Sequence, residues 1–181
     1  MTIEISKADL DLLNAGKPVT LQGPVAIVVP PVPAQPEPPY WVYQKGIFNW
    51  NGDWSFGGKA DYTFPQDGIV FVVNKQWGGW LPYLLTHFET KPYTHLEFSL
   101  KPTVINQKWS TYMVAANDVS DGHSVDVLKY GPSPVVGMWG HYVVPIVDLQ
   151  LTNSAILKFA IQDQTGLQLN EWFIDNVGFT N

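Results

Sequence analysis

The chain reads as all-β: a jelly-roll antiparallel β-sandwich behind a short N-terminal helix/strand arm and a Pro-rich linker. Three observations say so. From Tyr40 onward, short β-branched and aromatic runs alternate with Gly, Pro, Asn and Asp, the punctuation of many short strands. No stretch in that region keeps helical spacing. A dense proline run, residues 30–39, separates it from a different kind of sequence before it.

In chain order, residues 6–14 predict one short helix. Ser6 is placed to cap it, Asp9 follows three on as in a capping box, and Leu10, Leu12 and Leu13 form an apolar stripe. Gly16 and Pro18 stop it. Residues 19–29 are a strand-like apolar run broken at Gly23-Pro24. Together, residues 1–29 read as an anchoring arm. The prolines of 30–39 favour a stiff, extended spacer. Residues 40–181 then form the sandwich domain. Its expected strands are 41–43, 69–74, 95–100, 110–116, 124–130, 140–145, 157–162 and 172–179. Alternation is clean in 95–100: Leu96, Phe98 and Leu100 predict one face, His95, Glu97 and Ser99 the other. In 157–162 the same pattern predicts Leu157, Phe159 and Ile161 facing the core.

Composition narrows the function. Ten Lys, no Arg and a net charge of −6 argue against nucleic acid, and against phosphate or carboxylate ligands that the guanidinium fork usually holds. No Cys means no disulfide and no thiolate chemistry. No apolar run approaches the ~20 residues of a membrane-spanning helix. The first residues are acidic and polar, unlike a signal peptide. No nucleophile elbow, P-loop or dinucleotide glycine fingerprint is present. A hydrolytic pair such as Glu97 with Asp126 or Glu171 has no acid-rich motif around it. The expectation is no catalysis and no zinc, since no His pair has metal spacing.

The aromatic residues carry the positive signal. Five of eight Trp fall between Tyr40 and Trp80. Trp41, Trp54, Phe56, Phe71, Phe98, Phe159 and Phe173 sit in apolar or alternating runs and read as core. Trp77, Trp80 and Tyr83 lie in a Gly/Pro-rich stretch, Trp109 follows Gln107-Lys108, Trp139 is flanked by Met138 and Gly140, and Trp172 follows Asn170-Glu171. Any one of these can simply close the sandwich edge. As a group they read as a platform for a flat, uncharged ring such as a sugar, with His95 and Glu97 as hydrogen-bonding floor.

Several stretches, in order, carry a family resemblance: Val42-Tyr43, Gly52-Asp53-Trp54-Ser55-Phe56-Gly57-Gly58, Gln76-Trp77-Gly78-Gly79-Trp80, Tyr93-Thr94-His95-Leu96-Glu97-Phe98, Met138-Trp139-Gly140-His141-Tyr142 and Glu171-Trp172-Phe173-Ile174-Asp175-Asn176-Val177-Gly178-Phe179. This series resembles the galactose-binding-like jelly-roll carbohydrate-binding modules attached to glycoside hydrolases, over roughly residues 41–179. The resemblance implies non-catalytic binding of a neutral oligo- or polysaccharide. It also implies a structural calcium held by first-strand acids and the Asp of the last strand. Here Gln44-Lys45 replaces the acids and only Asp175 remains. No cofactor is therefore expected, with Asp175 the one candidate calcium ligand.

A second reading comes from residues 1–29. An apolar arm ahead of a lectin-like head suits a virion appendage or decoration protein, with residues 1–29 against a partner or a second copy. The two readings share an extracellular or virion-associated location.

Overall fold

The computed structural model describes residues 38–63 and 68–181. The expected helix, the apolar run 19–29 and the proline stretch up to residue 37 lie outside them. One compact unit spans Gln35–Asn181.

Thirteen strands are present among the described residues: β1 (Tyr40–Gln44), β2 (Ile47–Phe48), β3 (Gly52–Asp53), β4 (Gly58–Asp61), β5 (Ile69–Val73), β6 (Gly79–Trp80), β7 (Pro82–Glu89), β8 (His95–Pro102), β9 (Trp109–Ala115), β10 (Ser120–Asp126), β11 (Gly140–Pro145), β12 (Ala155–Asp163) and β13 (Asn170–Thr180). They form two sheets, and every pairing between strands is antiparallel. The seven-stranded sheet runs β11-β8-β13-β1-β2, with β5 and then β4 continuing beside β13. The six-stranded sheet runs β10-β9-β12-β7-β3, with β6 also on β12. This is the expected all-β antiparallel sandwich.

Alternation explains the layers. On β8, Leu96, Phe98 and Leu100 are fully buried between the sheets, while His95, Glu97 and Ser99 face outward. Each such buried side chain contributes roughly 1.5–3 kcal/mol. β13 sends Trp172, Ile174, Val177 and Phe179 inward, with a bulge between Asp175 and Gly178 that resets its phase. A bulge between Ile156 and Lys158 does the same on β12. It puts Ile156, Phe159 and Ile161 in the core and leaves Leu157 half-buried, contrary to the expected inward set.

Strand boundaries also differ from expectation. Residues 124–130 are not one strand. β10 ends at Asp126, whose Oδ1 accepts a hydrogen bond from Leu128 N at 3.0 Å and caps a 3-10 turn at Val127–Tyr130. The residues 52–61 and 79–89 contribute strands that their Gly and Pro content hides. Pro82 is tolerated because it opens its strand.

Candidate functional site

The residues singled out from the sequence do not converge on one surface. Trp80, Trp109 and Trp172 are at most 1% exposed and belong to the core. Their rings offer no face to a ligand, which corrects the expectation for all three. Strand phase decides this. Trp172 is in register with Phe71, and both rings point inward, 5.3 Å apart. Trp80 Nε1 donates to the Tyr62 hydroxyl at 3.2 Å, and that hydroxyl donates to Asp53 Oδ2 at 2.6 Å. Burial, with Asp53 adding to it, pushes the Tyr62 phenol far above its usual range.

His95, Glu97 and Trp139 lie on or beside the outer face of the seven-stranded sheet, as does Asp175. One Asp175 oxygen accepts from Asn176 N at 2.8 Å and the other from Asn176 Nδ2 at 3.3 Å. Among the described residues no three His, Cys, Asp or Glu side chains gather as a metal site. Trp77 sits in the turn between β5 and β6 with φ +66°, 46% exposed, against Gly166. Gln162 Nε2 donates to its carbonyl at 2.8 Å. Only Tyr83 lies on the outer face of the six-stranded sheet, and that face holds the best-built platform.

Its edge is the segment 52–56, laid along β7 and β6. Gly52 pairs with Tyr83, Trp54 N donates to Leu81 O at 2.9 Å, and Phe56 bridges Gly79. Alternate residues share a face and stand ~6.8 Å apart along a strand, so Trp54 and Phe56 are successive rings on the Tyr83 side. Phe56 lies over Gly79, where a Cβ would come within 2.8 Å of its Cζ. Glycine is therefore needed there for the ring to lie flat. Trp54 is 60% exposed, with its ring centre 6.2 Å from that of Tyr83 and the planes 35° apart.

Beneath Trp54 is a lysine. Lys158 pairs with Tyr83 across the strands, and its side chain is only 6% exposed. Its Nζ lies 4.6 Å from the Trp54 ring centre, 5.9 Å from that of Tyr83, and 2.5 Å from Asp118 Oδ1. The charge is thus neutralised and covered by aromatic faces. Farther across the sheet, Gln162, Ser110 and Asp126 are in register. Gln164 Nε2 donates to Ser110 Oγ at 2.8 Å. A shallow hollow of about 260 Å³ opens there, lined by Lys108, Ser110, Ser124, Asp126 and Gln164. Flat rings at one end and hydrogen-bonding groups at the other, Lys108 and Asp126 among them, suit a ligand with apolar faces and a hydroxyl rim.

Reading the sequence alone put Trp41, Trp54, Phe56 and Phe173 in the core, although strand phase turns all four outward, and it missed Lys158. The available signal was a W-x-F alternation between glycines, and a single Lys inside the apolar run of β12.

No protein-family profile and no curated protein matches the chain. Solved structures do. A family 29 carbohydrate-binding module, in a variant made to probe ligand recognition, aligns over 78% of this chain and 91% of its own, with a TM-score of 0.57 at 14% identity. The fold is that of a carbohydrate-binding module. Two further variants match over 78% of this chain and 89% of theirs at 14% identity. One is in complex with mannohexaose, TM-score 0.57, and one with cellulohexaose, TM-score 0.56. At this identity the likeness between the module fold and this chain is one of architecture.

Proposed function

We propose that this chain is a non-catalytic carbohydrate-binding domain that holds a neutral oligo- or polysaccharide on the outer face of its six-stranded sheet. The observation that carries this is Trp54: an indole 60% exposed at a sheet edge, backed by Lys158 and flanked by Tyr83 and Phe56. Exposed rings held in place stack on the C–H faces of sugars through dispersion and apolar burial. The Ser110, Gln162 and Gln164 side chains supply donors and acceptors for hydroxyls. Modules of the same fold accommodate cellulohexaose and mannohexaose, which supports a glycan of that kind.

Binding without hydrolysis fits the carboxylates beside the platform. Asp118 pairs with Lys158, and Asp126 caps a 3-10 turn. Both act as fixed acceptors rather than as an acid and base facing each other across a cleft. A polysaccharide partner of this kind supports a working site outside the cell. The rival reading, a virion head on an anchoring arm, rests on residues outside the described region, and the similar structures lend it no support.

Native electrophoresis through gels containing neutral β-glucan or β-mannan tests the proposal. Retarded migration of the wild type is expected, with Trp54→Ala and Tyr83→Ala each weakening it several-fold while migrating normally in gels without polysaccharide. Unchanged retardation of both variants rejects this face as the site. Titration with cello- and manno-hexasaccharides is expected to give a micromolar to millimolar Kd, equivalent to about −8 to −4 kcal/mol.

A further inference from the structure

The opposite face of the sandwich repeats the same ingredients. On the seven-stranded sheet, Lys101 of β8 is in register with Phe173 of β13, and both point outward. Lys101 Nζ lies 4.0 Å from the Phe173 ring centre and 5.0 Å from that of Trp139. The two rings meet edge to face, 6.5 Å apart at 73°. Trp139 remains 41% exposed. Its loop is tied down. Gly137 N donates to Pro102 O at 2.8 Å, Met138 N to Val135 O at 2.9 Å, and the Tyr142 hydroxyl to Pro132 O at 3.1 Å.

Polar groups line the floor beside these rings. Glu97 Oε2 is 3.1 Å from His141 Nε2, and Ser99 Oγ is 3.4 Å from His141 Nδ1. In the row of Glu97, β13 carries Gly178, and Trp41 of β1 lies over it, its ring 2.6 Å from where a Cβ would stand. The bare backbone at Gly178 therefore seats a second indole on the same face. Each face thus carries an exposed Trp, a second aromatic ring, a lysine against both, and a carboxylate.

We propose that the outer face of the seven-stranded sheet is a second binding site for a neutral glycan, with Trp139 as stacking surface and Glu97, His141 and Lys101 as hydrogen-bonding groups. The domain then holds two chains at once, on opposite layers of a sandwich whose sheets pack ~10 Å apart. Glu97 and Asp175 together outweigh Lys101 in charge, so the face disfavours anions and suits an uncharged sugar whose hydroxyls donate to carboxylates.

The ligand class rests on the reading above, but the site is separate, and equilibrium dialysis of the full chain against the same hexasaccharides separates the two. The expected result is two molecules bound per chain at saturation for the wild type, one for Trp54→Ala, one for Trp139→Ala and none for the double variant. Counting per chain makes the result independent of self-association. Trp139→Phe is expected to restore the second site, and Glu97→Gln to weaken it with an unchanged melting curve. One molecule bound by the wild type and none by Trp54→Ala overturns the second site alone. One bound by the wild type and by Trp54→Ala, but none by Trp139→Ala, upholds this face and overturns the first. No binding by the wild type overturns both.

Discussion

Lys158 Nζ lies 2.5 Å from Asp118 Oδ1 and 4.6 Å from the centre of the Trp54 ring, so one buried ammonium joins a turn carboxylate to the exposed indole of the platform. The partners differ in environment: the lysine side chain is 6% exposed and the aspartate 61%. Removing one or the other therefore has different consequences. Asp118→Ala strands a buried charge, which costs more than the roughly 1–3 kcal/mol of a neutral unsatisfied group. Lys158→Met keeps the packed stem and frees a carboxylate that water already reaches, so its cost is smaller. Urea denaturation of the two variants is expected to rank Asp118→Ala as the less stable. Lys158→Met is also expected to weaken glycan binding by loosening Trp54, a contact worth about 0.5–2 kcal/mol.

The indoles divide into core and surface, and stability reads the division. Trp80→Ala removes a fully buried ring and is expected to cost about 3–5 kcal/mol. Trp54→Ala is expected to cost about 0.5–2 kcal/mol, the scale of its cation–π contact with Lys158. Equal losses in denaturant titrations would contradict the assignment of faces.

Asp121 gives a pH signature. Burial alone would raise its carboxyl, but hydrogen bonds from the Thr152 hydroxyl, Asn153 N, Thr152 N and Gly122 N outweigh this and hold it below the usual carboxylate range. A depressed folded-state pKa contributes stability that is complete above the unfolded value of about 3.9 and is lost as pH falls through the folded one. Asp121→Asn is thus expected to lower the melting temperature at neutral pH. The gap to the wild type should close progressively in acid below about pH 4. A gap of constant size from pH 7 into strong acid would contradict this.

The apolar residues of 1–29 carry a separate expectation, association with a partner or a second copy. A chain beginning at Gln35 retains the whole compact unit and is expected to melt cooperatively as a monomer. The full chain is expected to sediment as a larger species. Identical masses per chain for both would remove the arm as an association element.

The legible parts of the fold were those where a local rule suffices. Strand β8 was readable from the alternation of Leu96, Phe98 and Leu100 alone. The ordered series of aromatic motifs also pointed to the right architecture. The site was less legible because exposure of a ring depends on pairing partners. Trp54 and Trp80 each lie within two residues of a glycine, yet Trp80 faces Phe159 in the core while Trp54 faces solvent. Their phase is set by the pairing of 52–56 against 79–83, which no local pattern announces. Bulges added to this. The register break between the Ile156–Phe88 and Lys158–Tyr83 pairs, with the extra residues on β7, puts Lys158 on the Tyr83 row and so creates the platform's base.

The most direct test of the central claim follows the indole N–H signals of the eight tryptophans by NMR while cello- and manno-hexasaccharides are added, with Trp54 assigned by its absence in Trp54→Phe. The Trp54 signal is expected to move in a saturable way at both low and moderate salt, since no net charge is exchanged. The buried Trp80, Trp109 and Trp172 signals are expected to stay in place. A Trp54 signal that no neutral glycan moves at millimolar concentration would contradict carbohydrate binding on this face.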